Sequence, residues 1–518
     1  MKNTLTVNVH DGTVLELTPS NELNLAQILF LNGAFNGVPL CSGMGRCALC
    51  KVRFGSSAPA PLKEELKKFS SDEIESGWRL SCLHKANAGI VYLPHPERVV
   101  PKISGKFASG LPDNLSLAVD LGTTGMHWAF TLNGKIVTSG QELNPQIGLG
   151  SEVMSRLAFA QKPEQCKILS DLVTNRLAEI IEQTAPAKDM VITGNPSMIS
   201  ILAEDNIEGL SRAPYSLPSP GGEILSLNHD LPKAYVPAHL APFVGADITA
   251  GIVSLNFSDA VPEPPYLFAD LGTNGEFVLC LTPDEYIVSS VPMGPALEGV
   301  GLSNGRTAGP GAISSFTLTP AGLSPSFISE PDSRSTPGIT GTGYLSLCSI
   351  LLKSGVLTRE GQFSNGNTPF AARLAQNITE LHGSPALNLG SNTELLLPAS
   401  DIEEILKVKA AFNLAMTALL DQAGLPPSSL NSLILGGAMG QHVNINDLVT
   451  TGFIPAETGP ITRAAGNTSL AGAVILTNNK NARDFASNLP SLTTVLELAG
   501  GKDFGPKYLE RMIFQYVY

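Results

Sequence analysis

Four cysteines constrain this chain more than any other feature. Three share one loop, spaced Cys41-x5-Cys47-x2-Cys50, and Cys82 stands apart further along. Iron in a [2Fe-2S] cluster takes four thiolates, and Gly43 and Gly45 give the backbone between them freedom to wrap closely around the sulfides. Backbone N–H groups of such a loop can donate to the cluster sulfurs and tune their potential. A zinc site is the alternative. Structural zinc, however, usually sits on two short Cys/His pairs, whereas here three candidate ligands crowd one loop and the fourth is remote. The expected ligands are therefore Cys41, Cys47, Cys50 and Cys82. The other three cysteines, Cys166, Cys280 and Cys348, are scattered singly and read as buried structural thiols. That usage fits a reducing cytoplasm better than secretion.

The surroundings of the loop suit the same reading. Residues 4–9 and 13–17 alternate polar and apolar side chains around Asp11-Gly12, a strong hairpin signal. Residues 23–31 predict a short helix, 51–54 a strand, 64–75 a charged helical stretch and 89–93 a closing strand. This outline resembles a β-grasp ferredoxin over residues 1–96. Five residues in the first cysteine gap, instead of four, resemble the adrenodoxin-type loop more than the plant type. Residues 97–114 are rich in Pro, Gly and Ser and read as a linker.

Beyond the linker the chain alternates strand-like and helix-like segments, the pattern of an α/β fold. One internal echo stands out. Leu117-Ala-Val-Asp-Leu-Gly-Thr-Thr-Gly125 is repeated as Leu267-Phe-Ala-Asp-Leu-Gly-Thr-Asn-Gly275. Such a hairpin after an apolar strand lets amides and hydroxyls approach phosphate oxygens, while its Asp holds the waters of a hard Mg²⁺ ion. The candidates are Asp120, Gly122, Thr123 and Thr124 in the first copy. In the second they are Asp270, Gly272, Thr273, Asn274 and Gly275, with Glu276 close behind. Asp-Gly turns are common, so one copy would be weak; two matching copies are not. A third strand ends in Gly436-Gly437-Ala438-Met439-Gly440, which suits an adenosine-contacting turn or plain strand-helix punctuation. Together the three elements resemble the phosphate and adenosine motifs of the ASKHA superfamily of acetate and sugar kinases, heat-shock chaperones and actin. The resemblance implies an ATP-binding domain over residues 115–518, built as two ribonuclease-H-like subdomains, 115–265 and 266–518.

A β-grasp iron-sulfur domain joined to an ASKHA domain resembles the reductive activators of corrinoid proteins. Further segments resemble that family: Asn144-Pro-Gln-Ile-Gly148 leading into Glu152-Val-Met-Ser-Arg156, Gly194-Asn-Pro-Ser-Met198, Phe243-Val-Gly-Ala-Asp247, Gly294-Pro-Ala-Leu-Glu-Gly299, Gly338-Ile-Thr-Gly-Thr-Gly343 and Gly466-Asn-Thr-Ser-Leu470. Two departures are expected. Longer members carry a middle domain between the ferredoxin and ATPase regions, and here only the short linker fills that place. Thr340 also stands where relatives often show Cys, so no thiol-dependent role carries over to it.

The resemblance implies that inactive Co(II) corrinoid is returned to Co(I) by one-electron transfer through the cluster, driven by ATP hydrolysis. Plant-type clusters lie near roughly −400 mV, and every ~59 mV of shortfall costs about tenfold in a one-electron equilibrium. The implied partners are a corrinoid protein as acceptor and an upstream flavoprotein or ferredoxin as reductant, and a homodimer is left open. Other readings are an ASKHA activase for a radical dehydratase or aryl-CoA reductase, a small-molecule kinase with a ferredoxin sensor, and a redox carrier with a degenerate ATP site. Those activases hold their cluster between subunits through cysteines inside the ASKHA domain, a pattern that Cys166, Cys280 and Cys348 do not make.

Composition excludes some classes. At 518 residues the chain exceeds a single core. A hydrophobic share of 43% with 15% charged residues is that of an ordinary globular protein. The net charge of −13 and the lack of a basic run argue against nucleic acid as a partner. No apolar run of about 18 residues predicts a membrane span, and residues 1–17 lack a signal-peptide layout. The expected location is the cytoplasm.

Overall fold

The computed structural model describes residues 4–518 except positions 46, 56, 97, 106–111, 113, 228–230, 273, 300, 330–336, 382, 391–394, 438–442 and 499–502. In strand β1 (Leu5–Val9), alternation sends Leu5 and Val7 into the core. The chain turns at Gly12, held at φ +89°, with Thr13 N–H donating to Asp11 Oδ1 at 2.9 Å. Strand β2 (Val14–Leu17) then pairs antiparallel to β1. Asn24 caps helix α1 (Leu25–Leu31) by accepting from Gln27 N–H at 2.9 Å, and Gln27 answers through its side chain at 3.0 Å. Strands β3 (Lys51–Phe54), β4 (Trp78–Leu80) and β5 (Gly89–Leu93) complete a sheet ordered β2-β1-β5-β3-β4, with β1 and β5 parallel. The stretch 64–75, expected as one helical segment, forms two short helices, Lys63–Leu66 and Ser71–Glu75. The physical reason is Ser70, whose side chain accepts from Glu73 N–H and caps a new start.

Within the segment read as a linker, Lys102–Ser104 adds a strand to the edge of the next sheet, opposite Ser139, Gly140 and Gln141. That sheet is built around β6 (Leu115–Leu121), seven residues buried throughout. Strands β7 (Gly125–Leu132) and β8 (Lys135–Leu143) follow as an antiparallel meander. Helices α2 (Val153–Phe159) and α3 (Pro163–Thr184) lead to β9 (Ala187–Gly194), which pairs parallel with β6. Helix α4 (Pro196–Leu202) precedes β10 (Ala234–Val236), parallel to β9, and α5 (Ala246–Asn256) follows. The order β10-β9-β6-β7-β8 lies within a seven-stranded sheet.

The second lobe repeats the plan. Strands β11 (Tyr266–Leu271), β12 (Asn274–Thr282) and β13 (Glu285–Pro292) form the meander. Helices α6 (Gly341–Ser354) and α7 (Ala399–Ala423) precede the parallel strands β14 (Ser432–Gly436) and β15 (Thr462–Gly466), and α8 (Thr468–Asn478) follows. Its order, β15-β14-β11-β12-β13, is that of the first lobe. Among the described residues no helix is long and apolar enough to cross a membrane.

Two helices join the lobes. On α5, Ile248, Ile252 and Leu255 pack with Tyr266 and Phe268 of the second sheet. Ala250 and Val253 of the same helix pack with Ala473, Val474 and Leu476 of α8 and with Ala118 and Ala129 of the first sheet. Helix α8 thus follows the second sheet in the chain but lies on the first, where Thr477 and Thr131 hydroxyls meet at 3.1 Å. Gly472 makes this crossing possible: a Cβ there would fall 1.9 Å from Ala250 O. Gly472→Val should therefore force the helices apart and cost about 1–3 kcal/mol or more. A lowered urea midpoint is expected, with little change for Ala471→Val on the exposed side of α8; equal midpoints for both would refute the close crossing.

Candidate functional site

The two lobes bring acidic side chains together in the cleft between them. Asp270 near the end of β11 pairs directly with Glu276 of β12, so both carboxylates share one face of the hairpin. Asp120 near the end of β6 pairs with His127, whose Nδ1 lies 3.5 Å from Asp120 Oδ2. Asp120 also accepts from Asn467 Nδ2 at 2.7 Å and Ser469 Oγ at 2.8 Å, groups carried to it by the start of α8. Asp247, in the first turn of α5, completes the set. Burial, then the charges of Asp120 and Asp270, pushes the Asp247 carboxyl up to about 8. Burial and then Asp120 raise Asp270 to about 7. Burial, then Asp247 and Asp270, holds Glu276 well above the usual range. Carboxyls that raise one another in this way would be relieved by a nearby cation. Among the described residues no three acidic, His or Cys side chains converge on a point for direct ligation of a single ion.

The hairpins line this cleft. Asn195 Nδ2 donates to Thr123 Oγ1 at 3.0 Å, and Thr124 O accepts from Asn144 N–H at 2.9 Å. A Cβ on Gly122 would lie 2.9 Å from Gly125 O, so the turn is as tight as the sequence suggested. In the second hairpin Gly272 N–H donates to Asn274 O at 3.1 Å, and Gly275 pairs with Leu271. Gly436 ends β14 directly beside Asp270 in register. Gly437 has φ +80°, and a Cβ on it would meet Asp270 Oδ1 at 2.8 Å, which explains a glycine pair there. Thr273 and Gly440, both expected at the site, lie outside the described residues. Thr340 serves structure instead, capping α6 by accepting from Gly343 N–H at 3.1 Å.

The thiols form a second site. Cys41, Cys50 and Cys82 are buried and Cys47 is half-buried. They lie as two pairs: the neighbouring Cys41 thiol and burial push Cys47 well up, and Cys82 and burial do the same to Cys50. Two thiols beside two thiols, raised by crowding and burial, suit a centre that puts two thiolates on each of two irons. The loop that carries them takes left-handed backbone at Ser42, Gly43, Gly45 and Ala48, as a chain wrapping a small body must. Glu65, fully buried, pins the Cys82 segment by accepting from Leu80 N–H at 2.6 Å and contacting His84 Nε2 at 2.9 Å. Cys166, Cys280 and Cys348 are each buried.

Sequence reasoning missed Asp247, Asn467, Ser469 and Glu65 as site residues. The first three did sit within segments quoted for the family resemblance. The available signal was a polar or acidic residue just after a glycine that precedes a helix start.

Two family models match consecutive parts of the chain. One, described as the C-terminal domain of RACo, the ASKHA domain, matches residues 265–517, and the other, the RACo middle region, matches residues 115–260. The second match overturns the expectation of a missing middle domain: the lobe that follows the linker is that region. The corrinoid activation enzyme RamQ of Eubacterium limosum is 28% identical over 478 residues, covering 87% of this chain and 77% of that protein. The Co(II) methylated amine-specific corrinoid protein reductase of Methanosarcina barkeri is 26% identical, covering 76% of each chain. A solved structure of a reductive activator for corrinoid, iron-sulfur protein shares the fold at 21% identity and a TM-score of 0.66, covering 98% of both chains.

The raised carboxyls give a signed pH dependence. With folded values of about 8 for Asp247 and 7 for Asp270 against an ordinary 3.8, the native state holds protons that the unfolded chain releases. That stability is complete below pH about 4 and is lost as pH rises through 7 to 8. Without divalent ions the protein should lose stability progressively between about pH 4 and pH 8, on the order of 1 kcal/mol per pH unit for the coupled set. Thermal melts from pH 5.5 to 8.5 should show it, Mg²⁺ should oppose it, and Asp247→Asn should flatten it. A profile that rises with pH would contradict the crowding.

Proposed function

The chain belongs to the family of reductive activators of corrinoid proteins, and from that premise we propose that it returns inactive Co(II) corrinoid protein to Co(I) by an ATP-dependent one-electron reduction. The single observation that carries this reading is the union of two sites in one body. The thiol set and the carboxylate cleft are built on domains whose apolar cores run together, from Leu5 and Phe30 through Leu115 and Ile147. A thiol set alone would serve a simple carrier, and a cleft alone would serve a kinase.

Cys41, Cys47, Cys50 and Cys82 are the proposed cluster ligands. When bound, a [2Fe-2S] cluster supplies a one-electron relay and Mg²⁺ supplies charge neutralisation beside the phosphates. Asp120 and Asp270 would orient the ion's waters, with Glu276 and Asp247 sharing the load of negative charge. The amides and hydroxyls of Gly122, Thr123, Thr124, Gly272, Thr273, Asn274 and Gly275 would approach the phosphates. Gly436, Gly437 and Gly440 would leave room for the nucleoside. Helices α5 and α8, which touch both sheets, are the elements along which the lobes would close on ATP. Closure driven by hydrolysis would make an uphill transfer effectively irreversible, so no phosphorylated product is required. The acceptor is a corrinoid protein and the donor a flavoprotein or ferredoxin.

The test is anaerobic. Reduced protein mixed with a Co(II) corrinoid protein should generate the Co(I) absorbance only with MgATP. Asp270→Ala should keep the cluster's visible spectrum and lose the ATP-dependent rate by about 10² or more, the usual scale for a lost charge-stabilising group. Conversion without ATP would remove the role given to the cleft, and a phosphorylated small molecule would favour a kinase.

A further inference from the structure

Asn144, Gln146 and Arg156 belong to segments that carried the family resemblance, yet they line neither the acidic set nor the thiol set. All three are fully buried. Their backbone runs between the two sites. At one end Asn144 grips the first hairpin, its Nδ2 donating to Gly122 O at 2.7 Å and its N–H to Thr124 O at 2.9 Å. At the other end Ile147 O accepts from Ser42 Oγ at 2.5 Å, and Ser42 is the residue after Cys41. Beside it the Phe30 ring presses on Gly148 so closely that a Cβ there would fall 2.2 Å from the ring.

The span between these ends is stiff. Gln146 N–H donates to Asn144 Oδ1 at 2.8 Å and Ile147 N–H to Asn144 O at 3.0 Å. The Arg156 guanidinium backs the turn from inside. Its Nε donates to Gly150 O at 3.0 Å, joined by Nη2, while Nη1 reaches Gln146 Oε1 at 3.2 Å and Met198 Sδ at 3.0 Å. All of these partners are neutral, so a buried cation is kept here at a cost in desolvation. Gln146 Nε2 donates to Leu169 O at 2.9 Å. Met198 N–H in turn donates to Asn195 Oδ1 at 3.0 Å, and Asn195 holds Thr123. A buried polar network so fully paired has few alternative arrangements and shifts as a unit.

We propose that the 144–150 segment is a positioning element that ties the cluster loop to the first phosphate hairpin, with Asn144 and Ser42 as its end contacts. The inference rests on reading the hairpin as a nucleotide loop and the thiols as cluster ligands, and it deepens that reading. Nucleotide arriving at Gly122–Thr124 is felt at the Cys41 loop with no partner protein present, so the loop that carries the cluster answers to the ATP state.

The experiment needs no corrinoid. Iron-loaded full-length protein is followed by amide exchange with and without a non-hydrolysable MgATP analogue, and binding of the analogue is measured separately by calorimetry. Exchange in peptides covering 41–50 should slow about threefold or more on nucleotide binding in the parent protein. In Ser42→Ala the slowing should drop below about half of that, with iron content and nucleotide affinity kept. Should Ser42→Ala fail to hold iron, Asn144→Ala, which is remote from the cysteines, is read in its place at saturating analogue, with the same loss of slowing expected and no demand on affinity, because Asn144 grips the hairpin itself. Binding without any change at 41–50, or a full change in these variants, overturns the link. No binding at all overturns the reading of the cleft instead, and failure to reduce corrinoid in the presence of a full exchange response would leave the link standing.

Discussion

Mutual repulsion among Asp120, Asp247, Asp270 and Glu276 is the interaction on which the rest of this architecture depends. Burial and the neighbouring charges raise the proton affinity of Asp247, Asp270 and Glu276. Such a cluster can only be assembled by elements that are themselves firmly held. The lobes provide them twice: each places an aspartate near the end of its central strand, beside a tight glycine hairpin. Helices α5 and α8 then lock the sheets together through small residues, with Gly472 set against the Ala250 carbonyl. The stability lost to electrostatics in the cleft is offset by apolar contact at the crossing.

How much of this was legible in the sequence follows the range of each interaction. The thiol spacing, the hairpin at Gly12 and the two Asp-Gly-Thr loops are local patterns, so residues near one another in the chain announce them. The internal echo between positions 120 and 270 made the duplicated topology readable, because identical turns imply identical strand pairing. Long-range partners were different. Glu65 reads as one of several charged residues in a helical stretch, and nothing local says that Leu80 and His84 need it. Asn467 and Ser469 follow the second sheet in sequence and act on Asp120 of the first lobe, a placement fixed only by the crossing of α8.

The middle domain shows a related failure. The first lobe's hairpin matches the second in sequence, which points both lobes to the ATPase and leaves only the linker as the place of a middle domain. The family model for the middle region instead covers residues 115–260, and residues 265–517 belong to the C-terminal model. A duplicated motif argues for shared topology, but it does not say where one named region ends. The linker, for its part, is no empty tether, since Lys102–Ser104 extends the first lobe's sheet and binds the iron-sulfur domain's exit to it.

The duplication is also unequal, and the inequality has a direction. Opposite Asp270 stands Glu276, another carboxylate, whereas opposite Asp120 stands His127. Asp120 also accepts hydrogen bonds from two donors at the start of α8 and lies on the hairpin that Asn144 grips. The second hairpin thus sets two buried carboxyls side by side, while the first is tied by hydrogen bonds to the rest of its lobe. Connectivity sets the first copy apart, since Asn144 ties its hairpin to the segment that ends at Ser42. The cysteine loop through Ser42, and helix α1 through Phe30, touch the lobe that holds the first copy, so the hairpin tied to its lobe by these hydrogen bonds is the one on the side of the four thiols.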